Sequence, residues 1–271
     1  MSDEQALLEL AVEGARLGGE LLAERAARGA EAAVSSKSTP TDLVSEADLA
    51  SQRAIRELLA ARRPDDGFLG EEEEANTAGE SGLRWIVDPL DGTVNFLFGI
   101  PQWAVSVAVA DELGTVAGAV YDPNRDELFV ASRSGPALLE AAGARSELRG
   151  RSEDPRGEGG AGRLATAMVA TGLAYDASVR ERQAAVLANL IPRARDIRRF
   201  GSAALDLCWT AAGRYDAYYE RTVKAWDVAA GELICRRAGL EVLELGESEG
   251  LPPGILAARP GLARELHGLV S

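Results

Sequence analysis

An apolar run, Trp85-Ile86-Val87, ends abruptly in Asp88-Pro89-Leu90-Asp91-Gly92-Thr93-Val94-Asn95-Phe96. Two carboxylates three residues apart at a strand end can share a hard cation through oxygen ligands. Pro89 removes a ladder donor and fixes the turn. Asp91-Gly92-Thr93 reads as the entry to a helix, whose free backbone N–H groups can hold phosphate oxygens beside such a cation. The Leu90 carbonyl faces the same turn and offers one more oxygen. Read alone, Asp-Pro and Asp-Gly are also ordinary turn pairs.

Three further carboxylates join this chemistry or have plainer uses. Glu71 follows Gly70 at the end of a short strand, Asp227 opens the apolar segment Trp226-Asp227-Val228-Ala229-Ala230, and Asp48 lies in Val44-Ser45-Glu46-Ala47-Asp48. The plainer uses are a solvated acidic run for Glu71, a helix N-terminal charge for Asp227 and a cap for Asp48. The candidate ligands are all oxygen, the preference of Mg²⁺ rather than Zn²⁺. The only histidine, His267, is near the C-terminus, and Cys208 and Cys235 sit in apolar segments as reduced core residues. There is no Cys-x5-Arg loop and no P-loop.

The elements that must position these groups are legible from periodicity. Leu7, Leu10, Gly14, Leu17 and Leu21 predict a helix over 4–28, and its glycines require a close packing partner. Ser45 reads as the N-cap of a second helix that ends near Pro64. Short strands follow at 68–69 and 84–87, the second broken by Asp88-Pro89. Runs at 103–110, 116–121 and 127–131, separated by turn residues, predict a meander. A Gly-, Arg-, Glu- and Ser-rich stretch, 145–162, reads as a mobile loop or boundary. Beyond it strands at 167–170, 215–219, 240–243 and 255–258 alternate with helices at 179–190, 202–212, 226–238 and 261–269, an α/β pattern. The expectation is one unit over 1–271, with subdomains 1–145 and 163–271.

Charge bounds the partners. The 271 residues carry a formal net charge of −14, a field that repels nucleic acid and anionic membranes. It also repels a phosphate ester, so local positive charge is required, and divalent cations would supply it. No stretch approaches a membrane span, and the acidic start MSDEQALLELA lacks the basic opening of a signal peptide. A cytoplasmic protein with neither nucleic acid nor membrane as partner is expected.

Taken together these segments resemble the inositol monophosphatase family. The segment from Lys37 to Asp48 resembles its lysine–Asp-Leu-Val-Thr–Asp segment, with Ser45 in place of Thr. Gly70-Glu71-Glu72 resembles its Gly-Glu-Glu. Asp88 to Phe96 resembles its Asp-Pro-Leu-Asp-Gly-Thr-Thr-Asn-Phe, with Val94 where a second hydroxyl is usual. Ala225 to Gly231 resembles its Trp-Asp segment. The resemblance implies a layered α/β fold, an αβαβα sandwich, and a homodimer. It implies that Glu71, Asp88 and the Leu90 carbonyl hold one Mg²⁺ and that Asp88, Asp91 and Asp227 hold a second. A weaker third ion would lean on Glu71. Gly92 and Thr93 would meet phosphate through backbone N–H groups, and the Thr93 hydroxyl, bonded to Asp48, would orient the attacking water. Gly201-Ser202-Ala203 and Glu220 also match, with Ala203 and Glu220 meeting substrate hydroxyls.

The implied reaction is in-line hydrolysis of a small phosphorylated metabolite by water, inositol-1-phosphate first among substrates. The alternatives are fructose-1,6-bisphosphatase, histidinol-phosphatase and nucleotide 3′-phosphatase activity. A rival of another class is a regulatory protein that binds the transcription machinery.

Overall fold

Each helix or sheet here has an apolar face that must be covered, and layers are the solution. The computed structural model describes residues 3–28, 34–36, 43–71, 76–151 and 164–271. Lys37 and Glu72 of the motifs above lie outside the described residues. So does most of the 145–162 stretch.

The first half contains α1 (Asp3–Ala27), β1 (Val34–Ser36), β2 (Leu43–Ser45), α2 (Glu46–Arg62), β3 (Gly67–Gly70), β4 (Arg84–Asp91), α3 (Thr93–Leu97), β5 (Ala104–Asp111), β6 (Gly114–Asp122), β7 (Glu127–Ser132), β8 (Leu138–Ala141) and β9 (Ala144–Glu147). The second contains a 3₁₀ turn (Leu164–Thr166), β10 (Met168–Thr171), α4 (Ala177–Leu190), β11 (Asp196–Arg198), α5 (Ala203–Ala211), β12 (Ala217–Arg221), α6 (Ala225–Arg237), β13 (Glu241–Leu245), β14 (Gly254–Ala258) and α7 (Leu262–Val270).

Strands β3 to β9 form one seven-stranded sheet in which every spatial neighbour is also the neighbour in sequence. Leu7, Leu10 and Leu22 of α1, with Ile55 and Leu59 of α2, cover one face against Val105, Val107 and Val109. Helices α5 and α6 cover the other face through residues such as Leu207, Ala230 and Ile234, packed with Ala108, Val120 and Phe129. The same two helices meet the second sheet, ordered β11-β10-β12-β14-β13, through Tyr218, Ile255 and Ala257. Leu190 of α4 and Leu262 and Leu266 of α7 close its far face. The result is the expected helix–sheet–helix–sheet–helix sandwich.

Three details differ from the expectation. Strand β4 does not break at Asp88-Pro89 but runs on to Asp91, with its register against β5 shifting between Asp88 and Asp91. A bulge of this kind accommodates the donor that Pro89 lacks. The Ser51 hydroxyl of α2 braces it by donating to the Pro89 carbonyl at 2.9 Å. Strands β8 and β9 extend the meander into 145–147, read above as loop, because their residues are half-buried or exposed and carry little apolar alternation. Strand β11 is only three residues long, below the reach of periodicity.

The layers approach closely where small residues allow it. On α1, a Cβ at Gly18 would lie 2.8 Å from Ile55 Cδ1, and one at Gly19 would lie 2.5 Å from the Tyr121 ring. These are the close partners that helix-interior glycine demands. A Cβ at Gly118 of β6 would lie 2.9 Å from the Ala230 Cα of α6. That neighbour is backbone and cannot turn aside. Gly118→Val is therefore expected to push α6 off the sheet and lower stability by about 1–3 kcal/mol, read as the urea midpoint. An unchanged midpoint would mean that the two layers separate freely.

Candidate active site

The carboxyl end of β4 and the start of α3 form the floor of the site. Gly92 lies between them with φ 99°, a left-handed backbone that favours glycine. A Cβ there would also meet the Gln102 carbonyl at 2.9 Å. The tight turn leaves the first N–H groups of α3 without helical acceptors. Edge-on contact between Phe96 and Trp103, centroids 5.2 Å apart, holds the turn against β5.

Four carboxylates share this corner from different elements. Asp88 is 2% exposed, and its Oδ1 accepts the Leu90 N–H at 3.0 Å. Asp91 is buried, and its Oδ2 accepts from the Ser202 hydroxyl at 2.6 Å and the Ala204 N–H at 2.7 Å. Asp227 stands at the start of α6, where its Oδ2 accepts the Lys224 N–H at 2.6 Å. Glu71 follows β3, its N–H donating to the Val87 carbonyl at 3.2 Å. Burial pushes the Asp88 carboxyl well above the usual range, reinforced in turn by the charges of Glu71, Asp91 and Asp227. Burial likewise raises Asp227, with Asp91 the next contributor. Asp91 rises to about 6 for the same first reason, moderated by its bonds to Ser202 and α5.

Among the described residues no three acidic, histidine or cysteine side chains converge on one ion-sized point as they stand. They nonetheless feel one another's charge strongly. An all-oxygen set of mutually repelling, buried carboxylates fits a hard divalent cation, which would relieve that repulsion.

Beside them, Thr93 Oγ1 lies 2.9 Å from Asp48 Oδ1 and 3.0 Å from the Leu90 carbonyl. Asp48 is fully buried on α2. The hydroxyl has one proton for two acceptors, and its own lone pairs stay available to accept from water.

The second half contributes the opposite wall. Gly201 precedes α5, Ser202 caps that helix, and Ala203 is its first residue. The Ser202 hydroxyl is engaged with Asp91 and with the Leu205 N–H, at 3.4 Å. Glu220 on β12 is partly exposed, yet its surroundings raise its carboxyl to about 7, chiefly by burial, with the Tyr218 hydroxyl drawing it back. The residues read from sequence thus gather from β3, β4, α2, α3, α5, β12 and α6 into one corner.

Three residues there escaped the sequence reading. Asn95 donates to the Gln102 carbonyl at 2.8 Å and the Phe200 carbonyl at 2.7 Å, tying α3 to the loop before α5. Asp206 is fully buried on α5, and neither carboxylate oxygen has a hydrogen-bond partner among the described residues. Burial, then the charge of Glu220, raises it well above the usual range. Its signal was a lone charge inside Ala-Ala-Leu-Asp-Leu-Cys. Tyr218, two residues before Glu220 on a strand, shares its face by simple alternation.

The inositol monophosphatase family profile matches residues 3–270. The chain is 42% identical over 241 residues to the inositol-1-monophosphatase SuhB of Mycobacterium tuberculosis H37Rv, covering 87% of this chain and 80% of that protein. It is 39% identical to the Nus factor SuhB of Pasteurella multocida, over 96% and 94% of the two chains. The crystal structure of the extragenic suppressor protein suhB from Bartonella henselae superposes with a TM-score of 0.86, at 35% identity over 98% of each chain.

The crowded carboxylates make a stability prediction. Asp91 titrates near 6 in the folded chain against an ordinary value of 3.8, so between those values the folded state keeps a proton that the unfolded state has lost. Stability is then greatest below the lower value and falls as pH rises through about 6. In EDTA-treated protein the denaturation midpoint should drop from pH 5 to pH 7.5. Asp88→Asn, which removes one repelling charge and keeps the Leu90 contact, should recover about 1–3 kcal/mol at pH 7.5. A lower midpoint for the variant would mean that repulsion is not what limits this corner.

Proposed function

Because the chain belongs to the inositol monophosphatase family, we propose that it is a magnesium-dependent phosphatase acting on a small polyol phosphate, inositol-1-phosphate first among them. The observation that carries this reading is the buried Asp48–Thr93 hydrogen bond placed against Asp88, Asp91, Glu71 and Asp227. A plain turn or a set of helix caps would not need a hydroxyl anchored to a buried carboxylate beside such acids.

Glu71, Asp88 and the Leu90 carbonyl would hold one Mg²⁺, and Asp88, Asp91 and Asp227 a second. Glu71 would also serve a third, weaker ion. When bound, magnesium lowers the pKa of an attacking water and neutralises phosphoryl oxygens. The remaining work belongs to the chain. The N–H groups of Gly92 and Thr93 hold phosphate oxygens at the start of α3. The Thr93 hydroxyl donates its hydrogen bond to Asp48, which leaves its oxygen to accept from water and so aims a water lone pair at phosphorus. Glu71 would help to order that water. Val94 supplies no second hydroxyl, so Thr93 carries this task alone. Gly201, Ser202 and Ala203 shape the wall against the leaving group, and Glu220 accepts from its hydroxyls.

One observation favours a second reading beside the first. A relative matching 96% of this chain is named a Nus factor, which supports a role in transcription complexes. Turnover separates the two, since a purely regulatory protein would release no phosphate.

A second copy of the chain is the proposed macromolecular partner. Phe98 is 73% exposed, Ile100 49% and Phe200 37%, on loops that Asn95 ties together. An apolar patch of this kind on a chain of net charge −14 suits a like surface better than a charged one.

Phosphate release from inositol-1-phosphate should require Mg²⁺ and vanish in excess EDTA, and persistence there would refute the metal assignment. Thr93→Ala should lower kcat by about 10²–10⁴ with a smaller change in KM. A raised KM with kcat intact would make Thr93 a binding residue. For the dimer, Ile100→Lys should shift the mass measured by light scattering from two chains to one. A mass that stays put would move the interface elsewhere.

A further inference from the structure

Glu220 is the one side chain proposed to read the leaving group, and the way it is held is unusual. Tyr218 lies two residues before it on β12, fully buried, and its hydroxyl donates to Glu220 Oε2 at 2.8 Å. Its ring is locked in the core between the two sheets with Ala204, Leu207 and Ile255. A phenol fixed in this way can place its donor at one point only.

The other side of the carboxylate is backbone. Gly172, just past β10, has no side chain, and a Cβ there would lie 1.9 Å from Glu220 Cδ and 2.0 Å from each of its oxygens. Gly172 does not have a positive φ, so its lack of a side chain is not required by its own conformation. The space it leaves is filled by Glu220.

Without that hold the carboxylate would move. Asp91 and Asp206 bear on Glu220 with like charge, and exposed Arg199 attracts it. Tyr218 donates to Oε2, and Oε1 is the oxygen proposed to accept from the leaving group.

We propose that Tyr218 and Gly172 form a seat that fixes the Glu220 carboxylate toward the leaving group, and that this seat sets the preference for hydroxyl-rich phosphates. The proposal rests on the reading of Glu220 as a substrate contact. Tyr218 and Gly172 are positioning residues, since neither touches the substrate. Fixing an acceptor before binding removes the rotamer freedom that would otherwise be lost on binding, so a loosened seat weakens recognition of hydroxyls rather than chemistry at phosphorus.

The test uses the full chain with Mg²⁺ and two substrates, inositol-1-phosphate and p-nitrophenyl phosphate, and reads the ratio of their kcat/KM values. Glu220→Ala should lower the ratio by about 10–100-fold, the effect of one charge-assisted hydrogen bond. Tyr218→Phe keeps the ring and should lower it by about 3–10-fold, mainly through KM for inositol-1-phosphate. Gly172→Ala gives an independent route. The atoms it meets are the flexible end of a side chain, which can swing away, so the fold survives while the seat is lost and the ratio falls. In the Glu220→Ala background, Tyr218→Phe should have no further effect on the ratio, which a merely structural tyrosine would not obey. If Glu220→Ala lowers the ratio and neither Tyr218→Phe nor Gly172→Ala does, the seat is overturned and the Glu220 contact stands. If Glu220→Ala leaves the ratio unaltered, the contact falls and the seat's role in specificity falls with it.

Discussion

Like charges buried together repel, and the rest of this structure answers that fact. Asp88, Asp91 and Asp227 are brought into one corner where burial raises their carboxyl pKa values, and the charge of Glu71 beside them raises Asp88 and Asp227 further. Nothing within the cluster favours its assembly without a cation. The surrounding architecture imposes it. Each acid is held by a backbone N–H or by the strand that carries it, so the position of every charge is set by secondary structure rather than by attraction. Core packing provides the force, with α1 and α2 on one face of the seven-stranded sheet and α5 and α6 on the other.

The same constraint explains how the two halves of the site are joined. Asp91 is the hinge of the arrangement. It sits at the end of β4, yet it accepts from Ser202 and from the N-terminus of α5. A helix N-terminus stabilises a carboxylate, so α5 partly offsets the crowding while docking the second half on the first. Asn95 does the corresponding work for α3, tying it to the loop before α5. Local positive charge therefore reaches an otherwise acidic protein as backbone dipole, before any ion is considered.

Much of this was legible in the residues. Two helices, a meander and an α/β alternation were readable as pattern, the layered sandwich followed from the family resemblance, and the order of four acidic motifs pointed to the family that the profile and the relatives establish. The acids were singled out from type and spacing, Thr93 and Glu220 took their roles from the family resemblance, and the chain brings them to one corner. What was hidden had physical reasons. Strand β4 continues through Asp88-Pro89 because a bulge absorbs the missing donor, and a bulge leaves no periodic trace. Strands β8 and β9 lack apolar alternation because their side chains are not buried. Asn95 and Tyr218 act through partners that only tertiary structure supplies, one across 105 residues of sequence and one through the burial of its own ring. Asp206, a fully buried acid on a core helix, is a burial fact that no local pattern announces.

The sheet order has a consequence for synthesis on the ribosome. Every neighbour in the seven-stranded sheet is adjacent in sequence, so its strands can pair before α5 and α6 have emerged to cover its second face. By then Glu71, Asp88 and Asp91 are in place, but the helix that receives Asp91 and the helix that carries Asp227 are still to come. A nascent chain of this kind holds three acids with neither α5 to dock them nor the fourth to complete them. The fourth carboxylate, Asp227, joins the corner only when α6 from the far half of the polypeptide packs against β6.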